Sequence, residues 1–162
     1  MSHSLHPNIP DEVHRILNEG FFAYLSSAEP GCQPHITTMF YLWDEKEEKV
    51  YLITNEKTKK LKNIKTNPNI AITVDERDPD SPAGNRGVLL RGKARVISIP
   101  EMGDIILNRY LSKYLDFLGY GFPMGSRVAI EVVPKIIHYW KGIKFQKWMS
   151  PKKSSSKLEA GE

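Results

Sequence analysis

Residues Val50–Val74 read VYLITNEKTKKLKNIKTNPNIAITV, and the rest of the chain arranges itself around them. Val50–Thr54 is β-branched and aromatic, the composition of a strand. Asn55–Thr58 supplies turn and cap chemistry. The next stretch, KKLKNIKTN, carries four lysines over about two helical turns. Asn67-Pro68 stops that helix, and a second strand starts behind it. Thr58 stands where a helix N-cap would, with Lys59 and Lys60 directly after it. The unpaired N–H groups and positive dipole end of a helix N-terminus favour an anion there. Two lysines in the first turn oppose that dipole. A phosphate bridging the cap and the lysines would offset the cost. On charge alone, a solvated basic helix is the preferred reading.

Working outward, the 162 residues make one domain over residues 1–149, followed by a polar, disordered tail at Ser150–Glu162. Hydrophobic residues are 40% and charged residues 26%, as in globular proteins. The net charge of +4 suits an anionic ligand and falls short of a nucleic-acid footprint. The lone Cys32 excludes an intrachain disulfide and fits a reducing cytoplasm. No signal peptide or membrane span is read. His3, His6, His14, His35 and His138 are scattered, without metal-ligand spacing.

Asn8–Glu19 reads as a helix capped by Asn8, with Ile9, Val13, Ile16 and Leu17 on one face. Strands are expected at Phe21–Ala28, Gln33–Trp43, Val50–Thr54, Asn69–Glu76 and Gly87–Ile97. A last strand runs from Arg127 to Trp140, interrupted at Pro134. Gly92 marks a bulge or a close backbone approach. Asp75–Arg86 is a long exposed loop. Ser98 and Glu101 form a capping box that opens one long helix to about Leu118. Its broad apolar face suits a core or an interface. GYGFPMG is a glycine-rich connection. About six strands in hairpins, with few helices, favour a mainly β fold: a small antiparallel barrel with flanking helices.

No Walker or dinucleotide loop, GxSxG, HExxH or CxxC occurs. The acidic cluster Asp75, Glu76, Asp78 and Asp80 reads as a solvated loop. Nothing in the sequence places a carboxylate or nucleophile beside His35, so no catalytic acid or base is assigned. Surface ion pairing is the default for Arg86 and Arg91.

Taken together, QPHITTMFYLWDE, the Val50–Val74 stretch, VLLRGKARVI and IIHYW resemble the FMN-binding split-barrel family that includes pyridoxamine 5′-phosphate oxidase and the deazaflavin-dependent reductases. The resemblance runs from about Phe21 to Trp148. Its most specific part is Thr54-Asn55, Thr58-Lys59-Lys60 and Asn67-Pro68, which looks like the family's T-N-x-x-S-R-K…N-P. It implies a six-stranded antiparallel Greek-key split barrel that dimerises, with a flavin in each of two clefts between subunits. Ile36, Thr37, Thr38 and Met39 would then run along the isoalloxazine edge and ribityl chain. Thr54 and Asn55 would lie at the ribityl and phosphate end. Thr58, Lys59 and Lys60 would hold the FMN phosphate, and Trp140 would reach the flavin from the partner subunit. Lys59 replaces the family's arginine, exchanging a fork for a point charge.

The oxidase's substrate-phosphate lysine is matched here by Tyr41, and its later Tyr…Arg…Ser cluster has no counterpart in Ile99–Leu118. Both departures argue against vitamin B6 oxidase activity. The resemblance implies a cytoplasmic, homodimeric FMN flavoprotein and oxidoreductase of unassigned substrate. The alternatives are an F420-dependent reductase and a non-catalytic flavin carrier or sensor. Nucleic acid and membrane are not expected partners.

Overall fold

The structure, a computed structural model, describes residues 6, 8–118 and 126–150. The GYGFPMG connection and, apart from Ser150, the expected polar tail lie outside the described residues. In chain order the elements are α1 (Asp11–Glu19), β1 (Ala23–Ala28), β2 (Pro34–Met39), β3 (Leu42–Asp44) and β4 (Lys49–Asn55). Then come α2 (Lys59–Thr66), β5 (Asn69–Glu76), a 3₁₀ turn (Pro82–Gly84) and β6 (Arg86–Ile97). The chain ends with α3 (Ile99–Met102), α4 (Asp104–Lys113), α5 (Leu115–Leu118), β7 (Arg127–Lys141) and β8 (Lys144–Met149). The strands form one antiparallel, curled half-barrel in the order β2-β1-β5-β6-β7-β4-β3, with β8 also pairing β7. The mainly β, antiparallel split barrel with flanking helices is therefore the fold.

The apolar run of β4 is buried on both faces, as a strand between two cores must be. Alternate residues take opposite sides. Val50 and Leu52 join the main core with Val13, Ile16, Leu17, Leu90, Ile130 and Val132. Tyr51 and Ile53 join a second cluster with Met102, Tyr110, Tyr114 and Ala129 beneath α3 and α4. Each fully buried large side chain contributes about 1.5–3 kcal/mol relative to exposure.

Four sequence expectations change. Asn8 does not cap α1: its φ is 68°, and Pro10 occupies the N-cap position. The second strand divides into β2 and β3 at Phe40–Tyr41, where Tyr41 turns fully inward and donates its hydroxyl to Leu17 O at 2.6 Å. The single helix Ile99–Leu118 is three short ones. Gly103 breaks it with φ 90°, and Tyr114 breaks it again. The Tyr114 hydroxyl is held at the sheet, accepting Tyr41 N–H at 2.8 Å and lying 2.7 Å from Tyr41 O and 2.9 Å from Phe21 O. Lys144–Met149, beyond the expected last strand, forms a further strand, β8. Gly142, at φ 57°, opens a two-residue turn that folds it back on β7. With β2 and β3 separate and β8 added, eight strands replace the expected six. The Ser98 cap forms as expected, accepting Glu101 N–H at 3.2 Å.

Candidate functional site

β2 is the edge of the sheet and pairs only with β1. One row of its backbone N–H and C=O groups is therefore free of sheet partners. β4 has an equivalent free side. β3 covers it only at Lys49–Tyr51, so Leu52–Asn55 pair with β7 alone. β2 is joined to β3 by just Phe40 and Tyr41, so the sheet has two incompletely paired edges, β2 and the end of β4.

The α2 N-terminus follows the end of β4. Asn55 is exposed, and its Oδ1 accepts the Lys57 N–H at 3.0 Å, which shapes the turn. Thr54 beside it is buried. Leu61 and Ile64 fix α2 in the main core, and the buried Asn63 donates to Ser27 Oγ on β1 at 3.1 Å. Thr58 is the N-cap residue in extended conformation, yet its side chain makes no cap hydrogen bond. Its Oγ1 is buried without a partner. The first N–H groups of a helix have no intrahelical acceptor, so this terminus lacks its usual side-chain cap.

The two lysines that follow behave differently. Lys59 Nζ is 2.6 Å from Glu29 Oε1 in the β1–β2 turn. It lines a cavity of about 540 Å³ with Glu29, Pro30, Lys57, Lys62, Asn63 and Thr66. Lys60, about 100° further round the helix, does not line that cavity and has no ion-pair partner among the described residues. Burial holds its pKa below the ordinary lysine value.

On β2, Ile36 is 66% exposed and Thr38 is exposed, both on the outer face of the sheet. Thr37 Oγ1 lies 3.2 Å from His35 Nε2. Met39 is 7% exposed and packs in the main core, so only its backbone lies free at the sheet edge. Trp140 stands apart from all of these. It pairs with Gly87 on β6 and Phe145 on β8. Four strand spacings separate β7 from β2, about 19 Å along the sheet. Thr54, Asn55, Thr58, Lys59 and Lys60 thus follow one another from the end of β4 into the first turn of α2, and Ile36–Met39 lie on the edge strand β2. Trp140 lies on a different strand, β7, four places along the sheet from β2.

Sequence reasoning missed Lys113, whose Nζ is buried without a hydrogen-bond partner 4.1 Å from the Tyr41 ring centroid. Burial pushes its pKa down to about 8. No spacing signal relates α4 to the Phe40–Tyr41 link, so the pair was invisible in one dimension. Arg86 does pair, reaching Glu12 Oε1 at 2.8 Å. Arg15 hydrogen-bonds the same carboxylate and, with help from Arg86, depresses the Glu12 pKa to about 2. The acidic loop is partly self-organised, with Asp78 Oδ1 accepting the N–H groups of Asp80 and Ser81.

No helix among the described residues is long and apolar enough to cross a membrane. A comparison with curated proteins gives no match. Several solved structures are similar. An F420 reductase is 26% identical, with 80% of this chain and 98% of that one covered and a TM-score of 0.64. A putative pyridoxamine 5′-phosphate oxidase from Listeria innocua is 23% identical over 80% and 95%, with a TM-score of 0.62. A FAD-binding protein from Mesorhizobium loti is 18% identical over 88% and 96%, with a TM-score of 0.64. The family model for pyridoxamine 5′-phosphate oxidase matches residues 9–141. The chain belongs to the pyridoxamine 5′-phosphate oxidase family.

Proposed function

We propose that this chain is an FMN-binding oxidoreductase, homodimeric, with its cofactor in the split between β2 and the end of β4. The observation that carries this is the α2 N-terminus. Among the described residues, Thr58 Oγ1 is buried and unpartnered there, two residues from Lys60, which has no counter-charge among them. A phosphate would accept the Thr58 hydroxyl and the free N–H groups and would pair with Lys60. The residues present therefore fit the group. Lys59 fits less simply, because Glu29 already holds it.

Bound FMN would supply hydride or electron transfer. The chain's own part is to bind, orient and exclude water. The free edge of β2 over Ile36–Met39 offers backbone donors and acceptors to a planar polar edge. Thr54 and Asn55 would stand at the ribityl and phosphate end. Trp140 stands on β7, four strands from β2 in the sheet order, and its proposed role is across a dimer interface. Tyr41, at the oxidase's substrate-lysine position, is a core residue bonded to Leu17 O. It presents no charge to a substrate, so a vitamin B6 phosphate is not the expected reactant.

The likeness to an F420 reductase favours a second reading, F420 in the same split. The absorbance spectrum of protein purified without added cofactor tests both. A flavin spectrum is expected. A colourless protein that quenches F420 fluorescence would replace FMN with F420, and binding of neither would overturn the proposal.

A further inference from the structure

A cavity of about 410 Å³ opens on the outer face of the sheet, where β1, β5, β6 and β7 run side by side. That volume lies within the range of about 300–1,000 Å³ common for small-molecule sites. Two cations, Arg91 and Lys135, line it together with Ser26, Asn69, Pro34 and Ile136. No carboxylate lines it, and neither cation has an ion-pair partner among the described residues.

The backbone brings the two cations together. Arg91 pairs with Ile136 and Gly92 pairs with Pro134, so Lys135 has no opposite residue on β6. This is a bulge, a device that re-aims a side chain. Gly92 permits it: a Cβ there would collide with the Val133 carbonyl oxygen. Arg91 thus escapes the surface ion pair expected of it. His138, on the same face, is kept below the ordinary histidine pKa by its own burial and then by the positive charges of Lys147 and Arg91. None of the causes that act on it is an acid.

We propose that this cavity binds a small organic dianion, a phosphate monoester or a dicarboxylate, held by the Arg91 fork and the Lys135 ammonium. The guanidinium offers paired donors to two oxygens, and the ammonium adds a point charge. The Asn69 amide and Ser26 hydroxyl can complete the donor set. The site does not depend on the flavin reading. Ser26, Ser27 and Ala28 all line it, the Ser27 hydroxyl accepting from Asn63 on α2, whereas Thr58, Lys59 and Lys60 do not line it.

The test is an NMR titration of the His138 ring in the full chain with inorganic phosphate, succinate and, at matched ionic strength, sodium chloride. Saturable binding of phosphate or succinate is expected to raise the His138 pKa, and the anion that does so identifies the ligand's charged group. R91Q and K135A should each weaken that binding at least tenfold, and K60A should leave it unchanged. Thermal melts confirm that the variants are folded. The proposal fails if chloride gives the same shift, if neither dianion gives one, if binding survives in both R91Q and K135A, or if K60A abolishes it.

Discussion

Lys113 Nζ lies 4.1 Å from the centroid of the Tyr41 ring, buried and without a hydrogen-bond acceptor among the described residues. Tyr114 adds a second ring at 5.5 Å. A cation over an aromatic face gains about 0.5–2 kcal/mol. Desolvation opposes that gain and is the stronger effect, because the pKa falls from 10.5 to about 8.

The pH dependence of stability follows from that shift. Between pH 8 and 10 the unfolded chain keeps the Lys113 proton and the folded chain gives it up. Stability therefore rises with pH through that window. The buried Tyr41, Tyr110 and Tyr114 act oppositely. Burial raises their pKa values, so their contribution is full below about pH 10 and is lost above it. The difference between wild type and Lys113→Met isolates the lysine. Urea unfolding at pH 7, 8.5 and 9.5 should show the variant at least as stable at pH 7, with its advantage shrinking as pH rises. A difference that is flat with pH would show that Lys113 is not the buried base described.

Gly87 and Trp140 form the second testable pair. A Cβ on Gly87 would come within 2.8 Å of Trp140 Nε1 and 2.9 Å of two ring carbons. The indole therefore lies across a position where any side chain would displace it. Gly87→Ala should cost about 1–3 kcal/mol of stability, the range for overpacking. The same change in a Trp140→Leu background should cost much less, since the clashing ring is gone. Equal costs in the two backgrounds, read from urea midpoints, would mean that the indole does not rest there.

Much of the fold was legible because punctuation in the sequence coincided with punctuation in the structure. Thr58 and Asn67-Pro68 bracket α2, and β5 spans Asn69–Glu76 as expected. Gly92 announced its bulge. Two of the misreadings share another cause: an apolar pattern continues across a backbone break. Phe40 and Tyr41 continue the hydrophobic run of β2, yet Tyr41 leaves the sheet pairing to reach Leu17 O. The leucines and tyrosines after Ile99 continue a helical stripe across Gly103 and Tyr114, where the backbone turns. At the candidate site, the order Thr58-Lys59-Lys60 could be read from the chain. The partner that occupies Lys59 could not, because Glu29 is distant in sequence and meets it only through folding. Lys135 is a comparable case, since its direction is set by a register shift across two strands.

Breaking the Glu29–Lys59 pair gives a direct probe of the proposed phosphate position. An exposed pair of this kind contributes only about 0–1 kcal/mol to stability, so Glu29→Gln should leave the fold intact. It removes a negative charge near the α2 N-terminus and frees Lys59 for an anion. FMN should then bind a few-fold tighter, and riboflavin, which lacks the phosphate, should bind unchanged. Lys60→Ala should do the reverse. It should weaken FMN by about tenfold, corresponding to about 1.4 kcal/mol for one charge-assisted contact, with little change for riboflavin. Fluorescence titration of both ligands against wild type and the two variants separates the effects. Parallel changes for FMN and riboflavin would place the phosphate elsewhere. A loss confined to Lys60→Ala, with no gain in Glu29→Gln, would leave Lys60 as the phosphate's partner and Lys59 as part of the β1–β2 turn.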